Sequence, residues 1–303
     1  MADPTGVAWV DGVVQPLAQA RVPVTDRGFL FADSVFDTVR TYGAAPFLLG
    51  DHLDRLRASA EAIALPVPWD DQALAGYVAD TIEGRGFDDE AAVRIMVTRG
   101  EGGSGLALPV PTVPRLVILC RPAPSVDPRL REQGVSLARP RGPAVKKSAV
   151  PGHVKSGAYL PNILALRQGR EAGGFEALLR GDDGSWREAT TSNLFAVHGD
   201  CVTTPGAAAG ILPGITRALV LALCAAADVA VQVQSLDDVA LESADELFIT
   251  SSLKEVLPAV ALDGQPVGAG VPGPLTLRLQ AAFSDAVATI GARGATRLAQ
   301  VFR

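Results

Sequence analysis

The spacing of apolar positions changes character several times along the first 120 residues. Val7–Val10 and the run 35–42 (VFDTVRTY) are short segments with β-branched and aromatic residues, and Gly43 closes the second. Both predict strands, with 46–49 (PFLL) continuing as another. From Asp51 to Leu65 the period lengthens. His52, Leu53, Leu56 and Ala60 recur at helical spacing while Arg55, Arg57 and Glu61 take other faces. A second helix is expected from Asp70 to Ile82. Residues 92–98 (AVRIMVT) read as a strand ending at Arg99-Gly100, followed by a glycine-rich stretch to residue 105, and 115–120 (RLVILC) as a buried strand.

Three prolines within 121–128 predict a linker. Beyond it come a strand at 135–138 (VSLA), a loop over 140–152 and a helix over 158–172. A hairpin of FEALLR around GDDG follows, then strands through SNLFAV and Val202 and a helix from Thr216 to about Ala227. The chain closes with a strand in DELFITSS and a helix over 275–290. Strands and helices alternate irregularly, so the expected class is α+β or mixed α/β, not a doubly wound sheet. The expected division is a small N-terminal α/β domain (1–120), the linker (121–128) and a larger domain (129–303). No GxGxxG or GxxxxGK[ST] follows a strand, so the usual nucleotide fingerprints are missing.

Composition narrows the classes further. The 303 residues are 48% hydrophobic and 20% charged, which suits a buried globular core. A net charge of −6 argues against nucleic acid or anionic lipid as the main partner. Cys120, Cys201 and Cys224 lie far apart, as reduced thiols do, and three scattered histidines make no metal site. The start of the chain lacks a signal-peptide pattern and no 18-residue apolar run occurs. The expectation is a soluble cytoplasmic enzyme.

Taken singly, the polar candidates are weak. Lys155 before a helix is more often a solvated charge than a nucleophile. Arg55 on an amphipathic helix is more often in an ion pair, and Glu188 after a hairpin could face water. LPGITR at 212–217 is an ordinary helix start, and TSS at 250–252 could simply end a strand.

Their order changes the weighing. DRGFLFADSVFDTVR, HLDRLRASA, HVKSGAYLPNILALRQGREAGGFEALL, EATTSNLFAV, GILPGITR and DELFITSS follow one another along residues 26–252, within a likeness that runs from about residue 7 to about 290. This set resembles the class IV (fold type IV) aminotransferases that use pyridoxal 5'-phosphate. The resemblance implies that Lys155 forms a Schiff base with the cofactor and shuttles a proton, and that Glu188 faces the pyridine nitrogen. It implies that Arg55, the Ile215 and Thr216 backbone at a helix N-terminus, and Ser252 with Ser251 hold the phosphate. Tyr159 is expected to border the ring. The family forms homodimers, so Phe31, Phe36 or the 100–108 loop is expected to act across an interface.

Residues 155–270 look closest to the D-amino-acid subgroup. Its usual carboxylate trap is missing, since the matching positions are Phe36, Ser104 and Leu106. Arg94 is a replacement cation. Strand alternation places it with Met96 and Thr98, opposite Val93, Ile95 and Val97. It either binds the substrate carboxylate, helped by Arg27 or Lys254, or pairs with Asp33 or Asp37. The implied reaction moves an amino group between a D-amino acid, or an (R)-primary amine, and a 2-oxo acid such as 2-oxoglutarate or pyruvate. The alternatives are an aminodeoxychorismate lyase and an L-branched-chain aminotransferase, the latter with Phe31 and Ala92 where that subgroup has tyrosines. Arg99 is expected to fix its loop, and the 100–105 stretch to be a pocket loop.

Overall fold

The computed structural model describes residues 5–102, 105–124, 127–140 and 151–302. Its architecture is mixed α/β, as the irregular alternation predicts. A first sheet takes β1 (Val7–Val10) and β2 (Val13–Pro16), then, after a single helical turn α1 (Arg27–Phe31), β3 (Ser34–Tyr42) and β4 (Ala45–Pro46). Helices α2 (Leu49–Glu61) and α3 (Asp71–Glu83) precede β5 (Ala91–Thr98) and β6 (Arg115–Pro122). The order is β2-β1-β6-β5-β3-β4, antiparallel throughout. Strand alternation splits its residues cleanly. Val35, Val39, Val93, Ile95 and Val97 pack beneath Leu53, Leu56, Leu74 and Val78 of the two helices. Phe36, Thr38, Arg94 and Met96 lie on the other face, where β3 and β5 pair in register.

The second sheet is built by α4 (Pro128–Gln133), β7 (Val135–Ala138), α5 (Leu160–Glu171), β8 (Glu176–Arg180), β9 (Trp186–Ala189), β10 (Asn193–His198) and β11 (Cys201–Thr204). It continues with α6 (Ile215–Ala226), β12 (Ala230–Val233), α7 (Asp238–Glu242), β13 (Glu246–Ser251), β14 (Glu255–Leu262), β15 (Gln265–Pro266) and α8 (Pro274–Arg293). The strand order is β12-β11-β10-β13-β14-β7-β8-β9, and Glu188 of β9 also pairs with Asn193 of β10. That one pairing closes β10, β13, β14, β7, β8 and β9 into a ring. Alternation again divides the side chains. Leu194, Ala196, Leu247 and Ile249 join one core with Leu137 and Leu178, while Phe195 and Phe248 stack at 4.5 Å in the other, against α6 and α8.

The two sheets are stitched together at the stretch that carries Lys155. The Phe36 N–H donates to the Lys155 carbonyl (2.9 Å) and the Gly157 N–H to the Ser34 carbonyl (2.9 Å). This strand-like pairing uses the edge of β3 that the two-residue β4 leaves open. At the other end of α2, the Gly50 and Leu298 N–H groups bond to Thr296 and Asp51, so the chain's last turn returns to the first helical layer.

Several expectations need correction. Residues 46–49 do not form a strand. β4 ends at Pro46, Leu48 takes a left-handed conformation (φ 50°), and α2 begins at Leu49, two residues before Asp51. That helix ends at Glu61 instead of Leu65. The linker stretch is partly structured, with β6 reaching Pro122 and α4 starting at Pro128 under an Asp127 cap, while residues 125–126 lie outside the described residues. Most of the loop expected over 140–152, and Ser104, also lie outside them. β2, α1, α4, β12 and α7 are too short to show a period, and β14 carries Pro258 inside its apolar run, which counts against a strand.

Candidate active site

Lys155 stands where the first sheet, α2 and the start of α5 meet. Its own N–H donates to the Ser59 hydroxyl of α2 (3.0 Å) and its carbonyl is taken by β3, so its backbone cannot shift without disturbing both. The side chain enters a cleft of about 500 Å³ between Arg55, Tyr159, Asn162, Glu188, the turn 190–192, the stretch 214–216 and the turn 250–252. Burial lowers the pKa of the amine to about 8, and the Arg55 and Arg94 charges push the same way against the carboxylates of Asp37 and Glu188. The Tyr159 hydroxyl lies 3.3 Å from Nζ. Burial, reinforced by the Glu188 carboxylate, raises that phenol to about 12, so it keeps its proton at neutral pH.

Glu188 and Asn193 occupy the ring-closing pair of β9 and β10, and both reach toward Leu212. The Leu212 N–H donates to Glu188 Oε2 (3.0 Å), and Asn193 Nδ2 donates to the Leu212 carbonyl (2.9 Å). Three residues later α6 begins. Its N-cap, Gly214, has no side chain to satisfy the first N–H groups, and the first helical bond comes from Ala218. The Ile215 and Thr216 N–H groups therefore face the cleft with the positive end of a 12-residue helix behind them. The Thr216 side chain, Ser251 and Ser252 complete this end, and the buried Thr250 hydroxyl has no hydrogen-bond partner among the described residues. Such a donor set suits an anion with several oxygens.

Arg55 contributes differently from the planar fork read in the sequence. Its Nε and Nη2 hold Asp37 (2.8 Å each) and Nη1 donates to the Pro213 carbonyl (3.0 Å). One N–H on each terminal nitrogen remains. Asp37, fully buried, also meets His52 Nδ1 at 2.7 Å. Burial would raise this carboxyl, but the charges and hydrogen bonds of Arg55 and His52 hold it well below the usual range.

The structure brings Lys155, Arg55, Tyr159, Glu188, Ile215, Thr216, Ser251 and Ser252 to one cleft. Phe36 and Arg94 lie beside it. The Phe36 ring is edge-on to Tyr159, with Lys155 Nζ 4.9 Å and the Arg94 guanidinium 3.5 Å from its centroid. Asp33 is taken by Arg27 and Arg99, and Asp37 by Arg55 and His52, so neither pairs with Arg94. Among the described residues Arg94 has no ion pair.

Arg27, Phe31 and Lys254 do not line the cleft. Arg27 is buried, pairing with Asp33 (2.9 Å) and donating to the Gly105 carbonyl (2.9 Å), with Phe31 beside its guanidinium. Lys254 pairs with Glu176 (2.7 Å). Arg99 bonds to Asp33 and to the carbonyls of Ile63 and Ala64, so its side chain ties down the turn after α2 and not its own loop at 100–105. The sequence reading passed over Asn193, Asn162, Glu176 and the Asp37–His52 pair as site residues. An aspartate in the otherwise apolar SVFDTV was the one available signal.

A sequence profile described as "Amino-transferase class IV" matches residues 34–262. The chain is 29% identical to a D-alanine aminotransferase of Bacillus licheniformis, over 91% of this chain and 95% of that one. It superposes on an Escherichia coli branched-chain amino acid aminotransferase with a TM-score of 0.87 at 28% identity, covering 93% and 94% of the two chains. A branched-chain amino acid aminotransferase of T.th., solved with pyridoxamine 5'-phosphate, gives a TM-score of 0.85 at 26% identity, covering 93% and 94%.

Proposed function

The chain belongs to the class IV aminotransferases, whose cofactor is pyridoxal 5'-phosphate, and we propose that it moves an amino group from a D-amino acid to a 2-oxo acid, with Lys155 as the amine that holds the cofactor. The cleft fits that group at both ends. Ile215, Thr216, Ser252 and the remaining N–H groups of Arg55 would take the phosphate, and Glu188 would face the pyridine nitrogen. A carboxylate there favours the protonated ring. When bound, the cofactor supplies a sink for the electron pair left on the substrate Cα as its proton departs.

The chain's own residues do the rest. With its pKa near 8, Lys155 Nζ is partly neutral at physiological pH and can accept a proton and return it. Tyr159, protonated and within 3.3 Å, steadies the amine in either state. Glu188 stays anchored through the Leu212 N–H, which holds its carboxylate at that end of the cleft.

The observation that carries the substrate side is Arg94, a cation without an ion pair among the described residues, lying over Phe36 beside the lysine. Burial works against its charge, Tyr159 favours it and Arg121 opposes it, so an incoming carboxylate compensates a real cost. We assign it the substrate α-carboxylate. With Cα–H directed at Nζ, the two enantiomers differ by exchanging carboxylate and side chain. The L-branched-chain reading therefore reverses the arrangement, with the side chain toward Arg94 and the carboxylate toward the turn 250–252. The likeness to both D-alanine and branched-chain aminotransferases supports either hand. Phe31 and Ala92 in place of tyrosines favour the first.

A homodimer is part of this reading. Val24, Phe29, Leu30, Leu106, Leu108 and Val110 leave an apolar surface exposed around α1 and the segment that Arg27 ties to it. So is a division into domains at 121–128. A cytoplasmic setting is supported by three cysteines that form no disulfide. No helix among the described residues is long and apolar enough to cross a membrane. Separate incubation with D- and L-alanine, D- and L-glutamate, L-leucine and (R)-phenylethylamine, each with 2-oxoglutarate or pyruvate, tests the proposal by the amino product formed. Turnover of D-donors supports it. Turnover of L-leucine alone overturns the D assignment.

A further inference from the structure

The cleft has two hydroxyl-lined walls, the β9–β10 turn (Thr190, Thr191, Ser192) and the end of β13 (Thr250, Ser251, Ser252). A buried carboxylate lies behind the first. Glu176, 2% exposed, accepts from the Thr190 hydroxyl (2.9 Å), the Thr191 N–H (2.8 Å) and hydroxyl (2.9 Å), and the Ser192 hydroxyl (2.7 Å). Every one of these donors belongs to the turn. Lys254, two residues past Ser252, brings its ammonium to 2.7 Å from Glu176 and 2.6 Å from the Thr191 hydroxyl. Its own N–H donates to the Ser251 hydroxyl (3.2 Å). One side chain thus joins both walls.

We propose that Glu176 and Lys254 are positioning residues, a strap that sets the separation of the two walls and with it the fit of the cofactor between Glu188 and Ser252. Burying an ion pair costs more than burying apolar side chains of the same size, so its use here calls for a reason beyond stability. The placement supplies one. The turn that Glu176 pins is flanked by Glu188 and Asn193, and the turn that Lys254 follows ends in the hydroxyls at the phosphate end. Burial alone would raise the Glu176 carboxyl, but the Lys254 charge and the turn's hydrogen bonds keep it ionised and below the usual range. Lys254 is then committed to Glu176, which removes it from the substrate-binding role read in the sequence.

This inference rests on the cofactor placement proposed above, and its test reads the walls separately from catalysis. Lys254→Met leaves Glu176 with its four turn donors but cuts the strap, and Lys254→Arg keeps the cation. Hydrogen exchange is measured on the cofactor-free protein at residues 190–193 and 251–254, and the cofactor dissociation constant by titration. The expected result for Lys254→Met is faster exchange in both turns and a dissociation constant raised about tenfold, with Lys254→Arg restoring both to within about threefold. Unchanged exchange and affinity in Lys254→Met overturn the strap. So does a raised KM for the amino donor with both measures intact, which would return Lys254 to the substrate. A strap that behaves as expected in a protein that transaminates no donor refutes the proposed substrates and leaves this inference standing.

Discussion

Glu188 and Asn193, partners across β9 and β10, grip the two sides of one residue. The first accepts the Leu212 N–H and the second donates to the Leu212 carbonyl. Leu212 leads through Pro213 into the N-terminus of α6, so the acid at one end of the cleft and the helix dipole at the other are fixed by a single contact. Gly214 completes the fit, because a Cβ there would stand 1.9 Å from Asn193 Oδ1.

Gly214→Ala is expected to destabilise the fold by ~1–3 kcal/mol, the usual cost of overpacking, and to weaken cofactor binding. In an Asn193→Ala background the clash is gone and the added cost of Gly214→Ala should shrink by more than half. Urea denaturation of the four proteins of this cycle checks it. An equal cost in both backgrounds would refute the contact.

Asp37→Asn leaves the Arg55 guanidinium buried with no full counter-charge, and an expected loss of ~3–5 kcal/mol follows from breaking a buried pair. The sign with pH is fixed. A carboxyl held below its ordinary value stabilises fully above ~3.9 and progressively less as pH falls below it. Measured in a His52→Gln background, so that the imidazole in contact with Asp37 does not titrate, the stability gap made by Asp37→Asn should be level from pH 5 to 8 and narrow toward pH 3. A gap that widened on acidification would refute the assigned charge state.

Lys155 has a lowered pKa, so its neutral form dominates above about pH 8 where an ordinary lysine remains charged to near 10.5. Labelling of the cofactor-free protein with an amine-reactive reagent should rise at Lys155 with a midpoint near 8. Between these two values the folded state binds fewer protons than the unfolded one, so Lys155 makes stability increase with pH there. A labelling midpoint above 10 contradicts its buried setting.

Arg94→Gln keeps the side chain's bulk and removes its charge. Loss of a charge-assisted bond of ~1.5–3 kcal/mol should raise KM for the preferred donor by roughly tenfold to a hundredfold, with kcat altered far less. An unchanged KM for every amino acid tested would remove Arg94 from the substrate site.

The residues proposed to hold the cofactor could be read together from the sequence because their setting is local. Lys155, Glu188, the helix start at 214–216 and the hydroxyls at 251–252 each sit in a short motif whose backbone geometry the sequence implies. Arg94 was legible from strand alternation, which set it apart from Val93 and Ile95. Arg27 and Lys254 take partners that the sequence did not suggest, for one reason. A cation's partner is chosen by tertiary packing, and Asp33 and Glu176 approach from segments whose placement no periodicity encodes. The same holds for the Asn193–Leu212 contact and for the β9–β10 pairing that closes the ring, since both need the folded second sheet. Residues 46–49 failed as a strand because four apolar residues suit a strand or a buried helix entry equally. Burial of Leu48 among the α6 and α8 side chains favoured the second.

Borohydride reduction of the cofactor-loaded protein followed by peptide mapping tests most directly whether Lys155 holds the cofactor. The chain has only four lysines, Lys146, Lys147, Lys155 and Lys254, so the adduct is readily placed. The expected result is the full pyridoxyl mass on the peptide carrying Lys155, and none on any peptide of Lys155→Ala. An adduct on Lys254, Lys146 or Lys147 in the wild-type protein, or no adduct at all, would contradict the assignment on which the proposed function stands.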